Sequence, residues 1–188
     1  MKGRGKLVLC RAMWQRMIDI VAEFRIIGAM SELSGGVMTR AESQASRRRS
    51  LRFRTRGASL GLTATRTDDL VDQIDRGLPF KALESLAALS GLSVIRIAAV
   101  LGVPERTLAR RKAAGKLAPD ESERLLRLSI VFENAVELFE GDVVGAVTWL
   151  TSPKKALGHQ TPLAYSRTEL GAREVEDLIG RLEHGVFS

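Results

Sequence analysis

A single cysteine, Cys10, leaves this chain of 188 residues with nothing to pair in an intrachain disulfide. Secreted chains of this size usually carry an even set, so a reducing compartment, the cytoplasm, is expected. Histidine is almost as scarce, with His159 and His184 as its two copies. No spacing then assembles a metal-ligand set or a nucleophile with its base and orienting group, so neither an enzyme nor a bound cofactor is expected. Long apolar runs are missing as well. The most apolar stretch, residues 7–27, is interrupted by Arg11, Arg16, Asp19, Glu23 and Arg25. A spanning helix needs about 20 consecutive apolar residues, so no membrane partner is expected. Alternating strand patterns are lacking in the second half, and the body reads as all-α.

What is present is an uneven charge. Residues 1–66 hold 14 lysines and arginines against 4 acids, whereas residues 67–188 hold 15 against 18, so the formal net charge of +7 belongs to the first third. Any nucleic-acid contact by the remainder must come from a local patch, because that part has no overall positive field. Leu9, Met13, Met17, Ile20, Val21, Phe24 and Ile27 recur at helical spacing and predict an amphipathic helix. Gly35 and Gly36 end it. The polar run 39–56, with Arg47, Arg48, Arg49, Arg52, Arg54 and Arg56, has little apolar area to offset ordering entropy and reads as a flexible, phosphate-compatible arm. Met38 is a second candidate start of translation. Residues 1–66 are therefore set apart from a body beginning at Thr67.

In the body, Thr67 or Asp68 can cap a helix through Leu70, Val71 and Ile74 that ends at Gly77 before Pro79. A second short helix with Leu83, Leu86, Ala87 and Leu89 inward ends at Gly91. Residues 91–115 then carry the pieces of a helix-turn-helix. Ser93 caps the first helix; Ile97, Ala98 and Leu101 face inward; Gly102 allows the tight turn; Val103 packs it; Pro104 suits a helix start; and Leu108 anchors the second helix. That helix offers Arg106, Thr107 and Arg110 to base edges, with Arg111 and Lys112 placed to hold the phosphate backbone. Glu105 reads as an acid at the positive end of the helix dipole. A symmetric dimer would let so short a surface read an operator.

Gly115 closes this domain, 67–118. A second, helical module follows over 119–188. Asp120 and Glu123 are spaced as a capping box, and Leu125, Leu128, Phe132, Ala135 and Phe139 form the stripe of a long scaffold helix. Val143, Val144, Val147, Trp149 and Leu150 predict another apolar helix before Pro153. The passage 157–163 reads as a turn. Thr168 can cap a last helix with Val175, Leu178, Ile179 and Leu182 inward, released at Gly185. Arg181, Glu183 and His184 beside Val186, Phe187 and Ser188 combine charge with apolar bulk, a combination suited either to insertion into a partner's pocket or to Phe187 folding back onto its own core with the charged side chains solvated.

Three passages carry a resemblance: LGVPERTLARRKAAGKLAPDESERLLRL at 101–128, AVTWLTSPKKALG at 146–158 and TELGAREVEDLIGRLEHGVFS at 168–188. Together with the leading helices, the stretch 67–188 resembles the Xre/MbcA/ParS toxin-binding antitoxins, especially those paired with RES-domain toxins. The resemblance implies a DNA-binding helix-turn-helix domain joined to a small helical toxin-binding domain. It also implies a homodimer within a larger toxin–antitoxin complex, neutralisation of an NAD+-degrading toxin, and repression of the antitoxin's own operon. Arg181, Glu183, His184, Val186, Phe187 and Ser188 match the characteristic ending, which in relatives lies near the toxin's active-site entrance. His159 departs from the glycine or asparagine common at its position, as Ala164, Tyr165 and Ser166 depart from an acidic-leucine-leucine texture. A stand-alone repressor would use the helix-turn-helix but leave the second module without a task; a localisation adaptor is the other alternative, since related helical modules can serve localisation.

Overall fold

The computed structural model describes Phe53, residues 55–63 and residues 66–184. The amphipathic helix expected at 7–27, most of the arginine run and residues 185–188 lie outside that range. Eight α-helices follow one another among the described residues: α1 Thr67–Arg76, α2 Phe80–Ser90, α3 Val94–Val100, α4 Glu105–Ala114, α5 Pro119–Leu138, α6 Val143–Thr151, α7 Pro162–Tyr165 and α8 Glu169–Glu183. Short 3-10 turns stand at Ala58–Leu60 and Lys155–Leu157. The only extended pairings among these residues are two isolated bridges, Pro79 with Lys116 and Lys154 with Gln160. The fold is all-α.

The hub is α5, which packs against α1, α6, α8 and the 3-10 turn at Ala58–Leu60. Its stripe of Leu125, Leu128, Val131, Phe132, Ala135 and Val136 is buried, and each large member contributes about 1.5–3 kcal/mol by leaving water. One cluster of buried side chains runs from Leu60 through these residues to Ile179. The start of α5 differs from the expected capping box. Pro119 is its first residue, and the Glu121 carboxylate accepts the Ala118 N–H at 2.9 Å. Asp120 and Glu123 instead pair one turn ahead with Arg124 and Arg127. The proline sets where the helix begins, so the return bond falls two residues earlier than the pattern suggested.

Entry to α5 is clasped from the side. The Leu117 N–H bonds to the Leu78 carbonyl and the Phe80 N–H to the Gly115 carbonyl, both at 2.9 Å, while the Leu78 N–H donates to Ser122 Oγ at 2.8 Å. Gly77, at φ 82°, makes the clasp possible: a Cβ there would stand 2.3 Å from the Leu117 carbonyl oxygen.

Four other expectations need correction. Ordered structure begins before Thr67, because Glu133, buried on α5, accepts the Gly57 N–H at 3.2 Å, the Ser59 N–H at 2.8 Å and the Ser59 hydroxyl at 2.6 Å. Phe53 packs on Phe132 with ring centroids 6.0 Å apart. Helix α1 starts after Arg66 without a side-chain cap, so neither Thr67 nor Asp68 serves as one. Val144 is exposed, and the passage expected to be a plain turn contains α7, whose Pro162 and Leu163 are buried.

Candidate nucleic-acid and partner interfaces

Helices α3 and α4 form the expected pair. Ser93 Oγ accepts the Arg96 N–H at 3.2 Å and starts α3. Gly102 turns the chain at φ 71°, and the Val103 N–H returns to the Ala98 carbonyl at 2.9 Å. Pro104 caps α4 from outside, and Leu108, Ile97 and Ala98 are buried where the helices cross. This fixes which face of α4 looks outward.

At about 100° per residue, Arg106, Ala109, Arg110 and Ala113 share the outward face. All four are exposed, and neither arginine has an ion-pair partner among the described residues. The two alanines leave room for close approach to a groove. Thr107, half-buried, and Lys112, exposed, flank the face. Glu105 lies exposed in the first turn. Arg111 stands about 140° round from Arg106, beside Leu108. Its Nε–H donates to both oxygens of Glu121 at 2.8 and 3.1 Å, and its side chain is only 26% exposed. The geometry thus gives Arg111 an internal task, tying α4 to α5, where the sequence reading had grouped it with Lys112. A helical wheel carries that signal; a list of basic residues does not.

The second surface lies on α8. Thr168 Oγ1 accepts the Gly171 N–H at 3.1 Å, and Ala172, Val175 and Ile179 are buried against the body. On the far side Arg181 pairs with Glu174 at 3.1 Å and His184 Nδ1 lies 2.8 Å from the Gly180 carbonyl oxygen, while Glu183 is exposed at the end of the helix on the line of Ile179. Arg181, Glu183 and His184 are thus together on the last turn. Val186, Phe187 and Ser188 lie outside the described residues.

Beside the start of α8 is a groove of about 570 Å³, bounded by Ala156, Ala164, Tyr165, Arg167 and Leu170 among others. Sequence reasoning missed it because its wall is α7. Leu170 could have been noticed, since it falls off the spacing of Ala172, Val175 and Ile179. Nearby, His159 adopts a left-handed conformation at φ 63°, held by its N–H bonding to the Lys154 carbonyl at 2.9 Å. That backbone accounts for the glycine or asparagine common there in the relatives the sequence resembles. Lys154 lies over the Trp149 ring at 5.3 Å, and burial lowers its ammonium below the usual lysine range.

A basic helix-turn-helix continuous with a second helical layer defines a DNA-binding protein that carries an additional docking module. Residues 69–129 match the Antitoxin Xre-like helix-turn-helix domain, and residues 134–185 match the Antitoxin Xre/MbcA/ParS C-terminal toxin-binding domain. The chain is 45% identical over 130 residues to Antitoxin Xre of Yersinia enterocolitica, covering 69% of this chain and 88% of that relative. It is 37% identical over 116 residues to Antitoxin Xre of Photorhabdus laumondii, covering 61% and 78%, and 32% identical over 84 residues to that of Pseudomonas putida, covering 44% and 52%. The chain belongs to the Xre/MbcA/ParS antitoxins, a family of non-catalytic, DNA-binding repressors. Among the described residues no group of three or more His, Cys, Asp or Glu side chains could hold a metal, and no single helix is long and apolar enough to cross a membrane.

Proposed function

We propose that this antitoxin neutralises a RES-type, NAD+-degrading toxin in the cytoplasm by inserting its C-terminal tail at the toxin's active-site entrance. As a homodimer it represses its own operon through α4. Arg106, Thr107 and Arg110 read base edges, and Lys112 holds phosphate. NAD+ is the toxin's substrate, and the antitoxin needs no cofactor. The observation that carries the reading is the last turn of α8. Arg181, Glu183 and His184 are exposed there, and Val186 and Phe187 follow them in the sequence after Gly185, so charge and apolar bulk adjoin along the chain.

The test is co-expression with the product of the neighbouring gene, which on this reading is a RES-domain protein, following growth and cellular NAD+. The full chain should restore both, and the chain lacking residues 181–188 should restore neither. Equal protection by the truncated chain overturns tail insertion. If the full chain neither protects nor forms a complex, the toxin reading fails, and operator binding alone then marks a stand-alone repressor.

A further inference from the structure

We infer that the groove between α7 and α8, headed by Leu170, is a second anchor for the toxin at the end of α8 opposite the tail. The inference rests on the toxin-binding reading above. Leu170, Glu174, Asp177, Arg181 and His184 fall at helical spacing and form one stripe along α8. The stripe faces away from the body, because Ala172, Val175 and Ile179 occupy the buried side. At 1.5 Å per residue, Leu170 stands about 21 Å from His184. A partner surface that receives the tail at one end and lies along α8 meets the groove at the other.

Area requires such an extension. A stable complex covers about 800 Å² on each partner. One fully buried phenylalanine supplies only about 150–250 Å² of that. The rest of the tail and folded surface next to it must supply the remainder, and the stripe is folded surface in that position within the matched toxin-binding domain. All the residues around the groove also lie within the span that matches the toxin-binding domain.

The groove's chemistry specifies what it takes. Its lining is mostly polar, with Gln160, Arg167, Thr168 and Glu174 around apolar patches from Ala156, Ala164 and Tyr165, and Leu170, 80% exposed, projects at its edge. One exposed leucine on a convex surface would be ordinary; here it borders a concavity of a size that holds a side chain or two. Glu174 is engaged by Arg181, whereas Arg167 on the rim has no ion-pair partner among the described residues. The fitting toxin element is therefore an apolar side chain with a carboxylate beside it. The walls are closely packed: a Cβ on Gly171 would stand 1.9 Å from the Tyr165 carbonyl oxygen, and Ser166 Oγ donates to the Pro162 carbonyl at 2.8 Å.

The experiment compares Leu170→Asp, Arg167→Glu and Leu170→Met in the full chain, measuring affinity for the purified RES toxin, melting temperature, self-association and operator affinity. Asp at position 170 sits in the first turn of α8, where a negative charge suits the helix dipole, so the fold should survive. Toxin affinity should fall at least about tenfold in the first two variants. It should hold in Leu170→Met, with the other three measurements unchanged throughout. Unchanged toxin affinity overturns the second anchor and leaves tail insertion standing. Loss of self-association in its place also overturns it, making the groove a contact between copies. Failure of the unsubstituted chain to bind toxin removes the anchor together with the reading beneath it.

Discussion

Helices α4 and α8 both turn a polar face outward, and they do so in opposite electrical styles. On α4, Arg106 and Arg110 stand without ion-pair partners among the described residues, with exposed Ala109 and Ala113 on the same face. On α8, Arg181 is balanced by Glu174 and Arg173 by Glu169, with a bare leucine at the head of the stripe. Uncompensated cations suit a polyanion, which attracts at a distance and releases counterions on contact. A compensated face exerts little field and is recognised through shape and local pairing. The contrast teaches that the excess positive charge of the chain says nothing about its protein partner.

The largest effects should come from breaking the supports of the two faces separately. Gly77→Ala drives a methyl into the Leu117 carbonyl at a left-handed backbone position, and Gly171→Ala drives one into the Tyr165 carbonyl. Each should cost about 3 kcal/mol, visible in urea titration. Gly77→Ala should loosen the clasp at the start of α5 first, and Gly171→Ala the α7–α8 junction, a division that amide exchange resolves. Exchange that changes identically in both variants would erase the distinction between the regions.

Next in size is the pair of neighbouring arginines. Arg111→Ala leaves the Glu121 carboxylate, 7% exposed, without its guanidinium and should destabilise the fold by about 2–3 kcal/mol. Arg110→Ala should leave the melting temperature in place while lowering the slope of log operator affinity against log salt by about 1. Salt titrations and melting curves on the two variants separate the roles. A salt slope altered equally by both would return Arg111 to the DNA surface.

The smallest effect concerns Glu133. Burial raises its carboxyl above the usual range, although the Ser59 and Gly57 donors pull the other way. The folded chain therefore binds this proton more tightly than the unfolded chain. Stability contributed by that proton is full below the unfolded value and is lost as pH rises through the folded one. Relative to Glu133→Gln, the unsubstituted chain should gain stability as pH falls from 7 toward the ordinary carboxylate range. Urea midpoints at several pH values check the sign.

The helix-turn-helix was legible because its determinants are local: Ser93, Gly102, Leu108 and Gly115 act within a turn or two of their own positions. The α5 stripe and the Thr168 cap were legible for the same reason. What escaped depends on distance along the chain. Ser59 meets Glu133 across 74 positions, a pairing no periodicity announces. Arg111 reaches Glu121 only because α4 and α5 fold together, and α7 is too short for a hydrophobic period to register. A helical wheel already sets Arg111 apart from the outward positions of α4; that its partner is Glu121 needed the packing.

The matched regions end at residue 129 and resume at residue 134, both inside the single uninterrupted helix Pro119–Leu138. One rod therefore belongs to both halves, and there is no linker at that point to cut. A chimaera that exchanges toxin specificity between two such antitoxins must be spliced across a packed helix face, with the buried residues of α5 matched to the incoming α6 and α8. Lineages can trade operators or toxins freely only where those few core positions agree, which makes the interior of α5 a gatekeeper of recombination.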